Sequence, residues 1–263
     1  MDLQLTGTSA FVSGSTGGIG YAVADALAAE GATVTVNGRS TERVHEAVEK
    51  LQAAHPDAEI SGIGADFADP AQVVDLIERL GEVDVLINNV GLFGLGAFEE
   101  IDDAQWQHYL DINVMSGVRL SRALLPGMLE RGRGRIVFIS SESGVSVPTD
   151  MIHYGVTKAA MIALGNGLAK RTRGTAVTVN TVLGGPTYSD GVAAAIEQIA
   201  HAQGAPVDAV KDAVIGQNAT TLLERFIEPT EIASLVTYLA SPLASATNGA
   251  ALRADGGVLT TIL

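Results

Sequence analysis

Short β-branched apolar runs alternate with longer stretches of helical periodicity along this 263-residue chain. The runs fall at 8–13, 32–37, 58–66, 83–89, 135–141 and 175–183, with a last short one inside GAALRADGG. The intervening stretches read as helices. GIGYAVADALAAEG is stopped by Gly31, STERVHEAVEKLQAAH starts on Ser40 or Thr41 as N-cap, and DPAQVVDLIERLG carries Pro70 in its first turn. DDAQWQHYLDINVMSGVRLSRALLPGMLERG reads as one long helix that Pro126 bends or ends, and MIHYGVTKAAMIALGNGLAKRT and PTEIASLVTYLAS follow. Strict alternation requires parallel strands joined by helical crossovers. The strands are continuously apolar, as strands covered on both faces are. The expected architecture is α/β: a doubly wound parallel sheet of about seven strands with helices on both faces, in one domain over 1–263. Only 184–217 interrupts the alternation; an irregular insertion past the carboxyl edge of a sheet suits a substrate-binding lid.

Hydrophobic residues make up 47% and charged residues 17%, which provides for a large buried core. The net charge of −14 repels phosphate backbones and anionic membranes, so neither nucleic acid nor a membrane is an expected partner. With no cysteine there is no disulfide, thiolate metal site or thiol nucleophile, and no metal is expected. The N-terminal MDLQLTGTSAFVSG lacks a secretory pattern, and no apolar run reaches the ~18 residues of a membrane helix. A soluble cytoplasmic protein is expected.

SGSTGGIG (13–20) lies between the first strand and the first helix. There a glycine-rich turn lets the backbone approach a pyrophosphate, and the helix N-terminus offers free N–H groups. Gly14, Gly18 and Gly20 fit one dinucleotide spacing, and Gly14, Gly17 and Gly20 fit another. The second strand ends in VNGRS, with Arg39 and Ser40 where an NAD-selective site would carry a carboxylate. Charge therefore favours NADP(H), with NAD(H) as the alternative and a merely solvated Arg39 as the bland one. Asp66 is either an acceptor for the adenine amino group or the N-cap of the next helix.

HYGVTKAA places Tyr154 four residues before Lys158, on one helix face. A free phenol has a pKa of about 10, and a neighbouring ammonium lowers it toward useful acid–base exchange. Ser141 ends the fifth strand, where open α/β sheets place their ligands, and NNVG (88–91) ends the fourth beside it. Asn113 is either part of this site or an exposed polar residue of the long helix.

With these pieces in order, the chain resembles the short-chain dehydrogenase/reductase family over nearly its whole length, in the compact single-domain branch. The resemblance rests on the glycine loop, Asp66, NNVG, Asn113, Ser141 and Tyr154-x-x-x-Lys158. It implies a Rossmann fold and hydride transfer between a nicotinamide and a carbonyl or secondary alcohol. It implies Tyr154 as acid–base catalyst and Lys158 as the group that lowers its pKa and binds the nicotinamide ribose. Ser141 would hold the substrate oxygen, and Asn113 would anchor a water in a proton relay. The dinucleotide would lie on Gly14, Ser15, Thr16, Gly18, Ile19, Gly20, Arg39, Ser40, Asp66, Asn89, Val90, Gly91, Tyr154, Lys158 and Thr187, with Ser189 as a further candidate. The resemblance also implies a dimer or tetramer.

LGGPT puts Gly184 where the family carries proline, which should loosen that backbone. Glu142 and His153 border the site and either select substrate or are structural; a Glu142 facing the cleft would disfavour anionic substrates. The rival functional reading is a dinucleotide-binding sensor without turnover.

Overall fold

The computed structural model describes residues 2–262. Seven parallel strands form one sheet in the order β3-β2-β1-β4-β5-β6-β7. They are β1 (Ser9–Val12), β2 (Thr33–Gly38), β3 (Ile60–Gly64), β4 (Val85–Asn88), β5 (Arg133–Ser141), β6 (Ala176–Gly184) and β7 (Ala251–Ala254). Helices α1 (Gly18–Ala29), α2 (Thr41–Ala54), α3 (Pro70–Leu80), α4 (Asp103–Tyr109), α5 (Met115–Arg131), α6 (Ile152–Ala169), α7 (Asp190–Gln203), α8 (Val207–Gly216) and α9 (Pro229–Ala240) fill the connections. Alternate residues of each strand face opposite layers. Val12, Val34, Ile87, Val137 and Val182 pack on α1 and α9, while Phe11, Leu86, Ile136, Phe138 and Val179 pack on α3, α5 and α6. The expected doubly wound single domain is therefore the observed one. No helix among the described residues is long and apolar enough to cross a membrane.

Local chemistry sets the helix ends. Ser40, not Thr41, caps α2, its hydroxyl accepting from the Arg43 N–H at 3.3 Å. Asp69, not Asp66, caps α3 through the Ala71 N–H at 2.9 Å. Gly31 follows the last turn of α1 at φ +81°, which favours glycine.

Two expectations need correction. Pro126 does not end its helix: α5 runs on to Arg131 and stops at Gly132 in the left-handed region. Leu124, Leu125 and Met128 around the proline are buried against the sheet, and this packing outweighs the lost hydrogen bond. The 184–217 segment is not irregular. It folds into α7 and α8, which share a small core of Ile196, Ala200, Val210, Ile215 and Phe226.

The long helix also has an internal break in register. Between α4 and α5, Leu110–Val114 form one turn of π-helix. Such turns recur at functional sites because the extra residue re-aims a side chain. Asn113 lies in this turn and is fully buried.

Candidate active site

The strand order reverses at β1, whose neighbours are β2 and β4, and a crevice opens at the carboxyl ends there. The glycine loop crosses it. Gly14 and Gly18 adopt φ of +62° and +56°, and a Cβ on Gly20 would come within 2.4 Å of the Gly14 carbonyl oxygen. The loop is tied down from beneath. The Asn89 side chain donates to the Ser13 and Gly14 carbonyls at 3.0 and 2.8 Å, and Gly14 N–H donates to Asn37 Oδ1 at 3.1 Å. Ser15 is fully buried and donates to the Val12 carbonyl at 2.7 Å, so its side chain braces the loop from inside. Ile19 packs partly buried against the core under α1.

A cavity of about 560 Å³ extends from this loop, lined by Gly14, Thr16, Arg39, Ser40, Asp66, Asn89, Val90 and Gly91 among others. Asp66 faces it while its own Oδ1 accepts from the Ala68 N–H at 2.9 Å. Arg43 lines the same cavity and gives it a second guanidinium, four residues after Arg39. That spacing was present in the sequence, and sequence reasoning passed over it. The bare glycine cradle, the N-terminus of α1 and the paired arginines fit a phosphorylated dinucleotide.

One carboxylate already lies on that cradle. Asp190, the first residue of α7, accepts from the Gly18 N–H at 2.9 Å, and the same Oδ2 stands 2.5 Å from where a Gly17 Cβ would be. Ser189 is beside it, with its Cβ 3.5 Å from a Cβ placed on Gly18. Thr187 is nearly buried, and its hydroxyl donates to the Gly185 carbonyl at 2.8 Å. Gly184 remains paired in the sheet, opposite Ser141 and Ala254.

The four candidate catalytic residues lie near the carboxyl ends of β4 and β5. Lys158 is buried on α6, and its Nζ donates to the Ile139 carbonyl at 3.0 Å and lies 5.5 Å from the Tyr154 ring centre. A Cβ on Gly91 would sit 3.3 Å from that Nζ, so the NNVG turn passes directly by the ammonium. Asn113 is fully buried rather than exposed. It accepts from the Leu92 N–H at 2.6 Å and donates to the Leu92 carbonyl and to Thr157 Oγ1, each at 2.9 Å. It thereby pins the NNVG turn to α6. Ser141 ends β5, donating to the Glu142 carboxylate and accepting from the Ser143 N–H at 3.1 Å.

The electrostatics differ from the simple cation–phenol expectation. Burial pushes the Tyr154 phenol above its ordinary value; the Ser141 hydroxyl opposes this, and the Glu142 and Tyr109 charges add to it. Burial also lowers the Lys158 ammonium to about 8, against a raising effect of Glu142. Desolvation, not the lysine charge, dominates the phenol, which stays protonated at neutral pH. His153 is packed among aromatic rings. It is fully buried, with its ring centre 4.2 Å from that of Tyr109 and 6.2 Å from that of Trp106.

Comparison with known proteins identifies the family and supports the fold. The family model for short chain dehydrogenases matches residues 8–200. The chain belongs to the short-chain dehydrogenase family. Over the full length of both chains it is 40% identical to the uncharacterized oxidoreductase YvaG of Bacillus subtilis. It is 30% identical to the D-beta-hydroxybutyrate dehydrogenase of Cupriavidus necator, with 97% of this chain and 98% of that protein covered. The crystal structure of L-sorbose reductase from Gluconobacter frateurii, complexed with NADPH and L-sorbose, superposes with a TM-score of 0.94 at 30% identity, covering all of both chains. This short-chain dehydrogenase is thus an oxidoreductase of hydroxyl and carbonyl groups.

Proposed function

We propose that this short-chain dehydrogenase reduces a small carbonyl compound with NADPH, with Tyr154 as the proton donor. The reading is carried by one observation: Ser141, Tyr154 and Lys158 meet at the carboxyl end of β5, beside Gly91, on the crevice that holds the glycine cradle. When bound, a nicotinamide would supply the hydride. The chain does the rest. Ser141 donates a hydrogen bond to the carbonyl oxygen, and Tyr154 gives its phenolic proton to that oxygen as negative charge develops. Lys158, charged below about 8, stabilises the phenolate left behind. In the oxidative direction Tyr154 takes the proton back. Asn113 holds the NNVG turn and α6 at the spacing this needs.

Arg39 and Arg43 would hold the 2′-phosphate, and no acidic side chain lines that part of the cavity except Asp66 on the far side of β2. The α7–α8 segment serves as lid, since it follows β6 and touches the glycine loop through Asp190. Assembly as a dimer or tetramer belongs to the same proposal and is read by light scattering. The functional test is NADPH and NADH oxidation against a panel of aldehydes and ketones. Tight NADPH binding with no turnover of any of them would mark a sensor instead. Arg39→Ala is expected to weaken NADPH by about tenfold and NADH much less; equal losses would remove the case for the phosphate.

A further inference from the structure

Among the described residues, Glu142 is the one carboxylate that electrostatically couples to both Tyr154 and Lys158. It forms no ion pair among the described residues. Its Oε2 accepts from Ser141 Oγ, and its Oε1 accepts from Ser143 Oγ at 3.2 Å. Burial raises its pKa, with the two serines opposing that shift.

The hydroxyl of Ser141 has a single proton. Here it goes to Glu142, while the Ser143 N–H fills an acceptor position on the same oxygen. A carbonyl substrate needs that proton for itself. Turning it toward the substrate strips Glu142 Oε2 of its donor at a partly buried site, between the buried Ser141 and Ser143. Leaving a buried charged acceptor unpaired is costly. A substrate that brings its own donor beside the carbonyl removes the cost.

The geometry specifies where that donor sits. Ser141 Oγ and Glu142 Oε2 are at hydrogen-bonding separation. Oxygens on adjacent carbons of a hydroxy ketone lie about 2.8 Å apart, a similar spacing. One pair can therefore meet the other, carbonyl oxygen on Ser141 and hydroxyl on Glu142. A neutral donor fits better than an ammonium, because the Lys158 ammonium already interacts electrostatically with this carboxylate and would repel a second cation. A substrate carboxylate would be repelled by Glu142 itself.

We propose that Glu142 is the specificity-determining residue of this site and selects carbonyl substrates with a hydroxyl group on the neighbouring carbon. The substrate hydroxyl donates to the carboxylate in place of Ser141. This rests on the carbonyl-reductase reading above and adds a substrate class to it.

Three ketones of matched size test it: 2-butanone, hydroxyacetone and aminoacetone. The readout is kcat/KM for NADPH oxidation in the wild type, Glu142→Gln and Glu142→Leu, with NADPH affinity by fluorescence reporting that each variant is folded. The wild type is expected to favour hydroxyacetone over 2-butanone at least tenfold. Glu142→Leu should bring that ratio down by at least fivefold, and Glu142→Gln, whose amide oxygen still accepts, should fall between. Comparing ratios between variants cancels the intrinsic activation of a carbonyl by its hydroxyl neighbour. A ratio unchanged in both variants overturns the proposal, as does a wild-type preference for aminoacetone over hydroxyacetone. Equal turnover of 2-butanone and hydroxyacetone by the wild type sinks this inference alone. No turnover of any ketone sinks the carbonyl-reductase reading with it.

Discussion

In the proposed reaction, Lys158 would trade stability for chemistry. Its ammonium is buried and its pKa lies at about 8 rather than the ordinary 10.5. A lysine with a lowered folded pKa binds fewer protons folded than unfolded between those values. Its burial cost is therefore present in full below about 8 and is relieved as pH rises toward 10.5. Lys158→Met should be inactive yet more stable at pH 7 by ~1–3 kcal/mol in urea titrations, and should lack the wild type's gain in stability above pH 8. A less stable Met variant would mean that the ammonium earns its place structurally, through the Ile139 carbonyl. Under the proposed mechanism the same titration should limit catalysis. Reduction should decline as pH rises through about 8, where Lys158 loses its proton. Glu142 raises the lysine pKa, so Glu142→Gln should move this alkaline limb to lower pH. A limb that stays in place would uncouple the two groups.

At the scale of elements, the contact between α7 and the glycine loop has the clearest consequence. Asp190 accepts from the Gly18 N–H, an amide of the cradle that a dinucleotide pyrophosphate would use. Its carboxylate competes with that anion for the positive end of α1. Asp190→Asn is expected to tighten NADPH about two- to fivefold by isothermal titration. Unchanged or weaker binding would mean that Asp190 does not compete. This contact was not legible in the sequence, because the two residues stand 172 positions apart and, although Gly18 belongs to the glycine loop, Asp190 belongs to no recognisable pattern. The strands and most helices were legible, since periodicity and caps are local. The turn at Leu110–Val114 was not: LDINV suits an α-turn as well as a π-turn, and only the packing of Asn113 on Leu92 and Thr157 distinguishes them. Pro126 misled for a related reason, since local propensity yields to the burial of its neighbours.

For the whole molecule, the sheet order brings distant chain segments together at the carboxyl ends of the strands: the glycine loop and the NNVG turn line one cavity, and Lys158 of α6 stands beside Gly91 of that turn. Residue types and spacing named Ser141, Tyr154 and Lys158, because their chemistry is written in side chains at fixed offsets. What they did not carry was the dielectric. Spacing alone makes Lys158 an activator of Tyr154, but in the folded protein burial outweighs that charge and keeps the phenol protonated. The account therefore casts Tyr154 as an acid first, and its central claim stands or falls on that hydroxyl. The most direct measurement is single-turnover NADPH oxidation by Tyr154→Phe, alongside NADPH affinity from fluorescence titration. The account predicts a loss of about 10²–10⁴-fold in rate with affinity within about twofold of wild type. A variant that keeps a rate within tenfold of wild type, with NADPH bound as tightly, would contradict it.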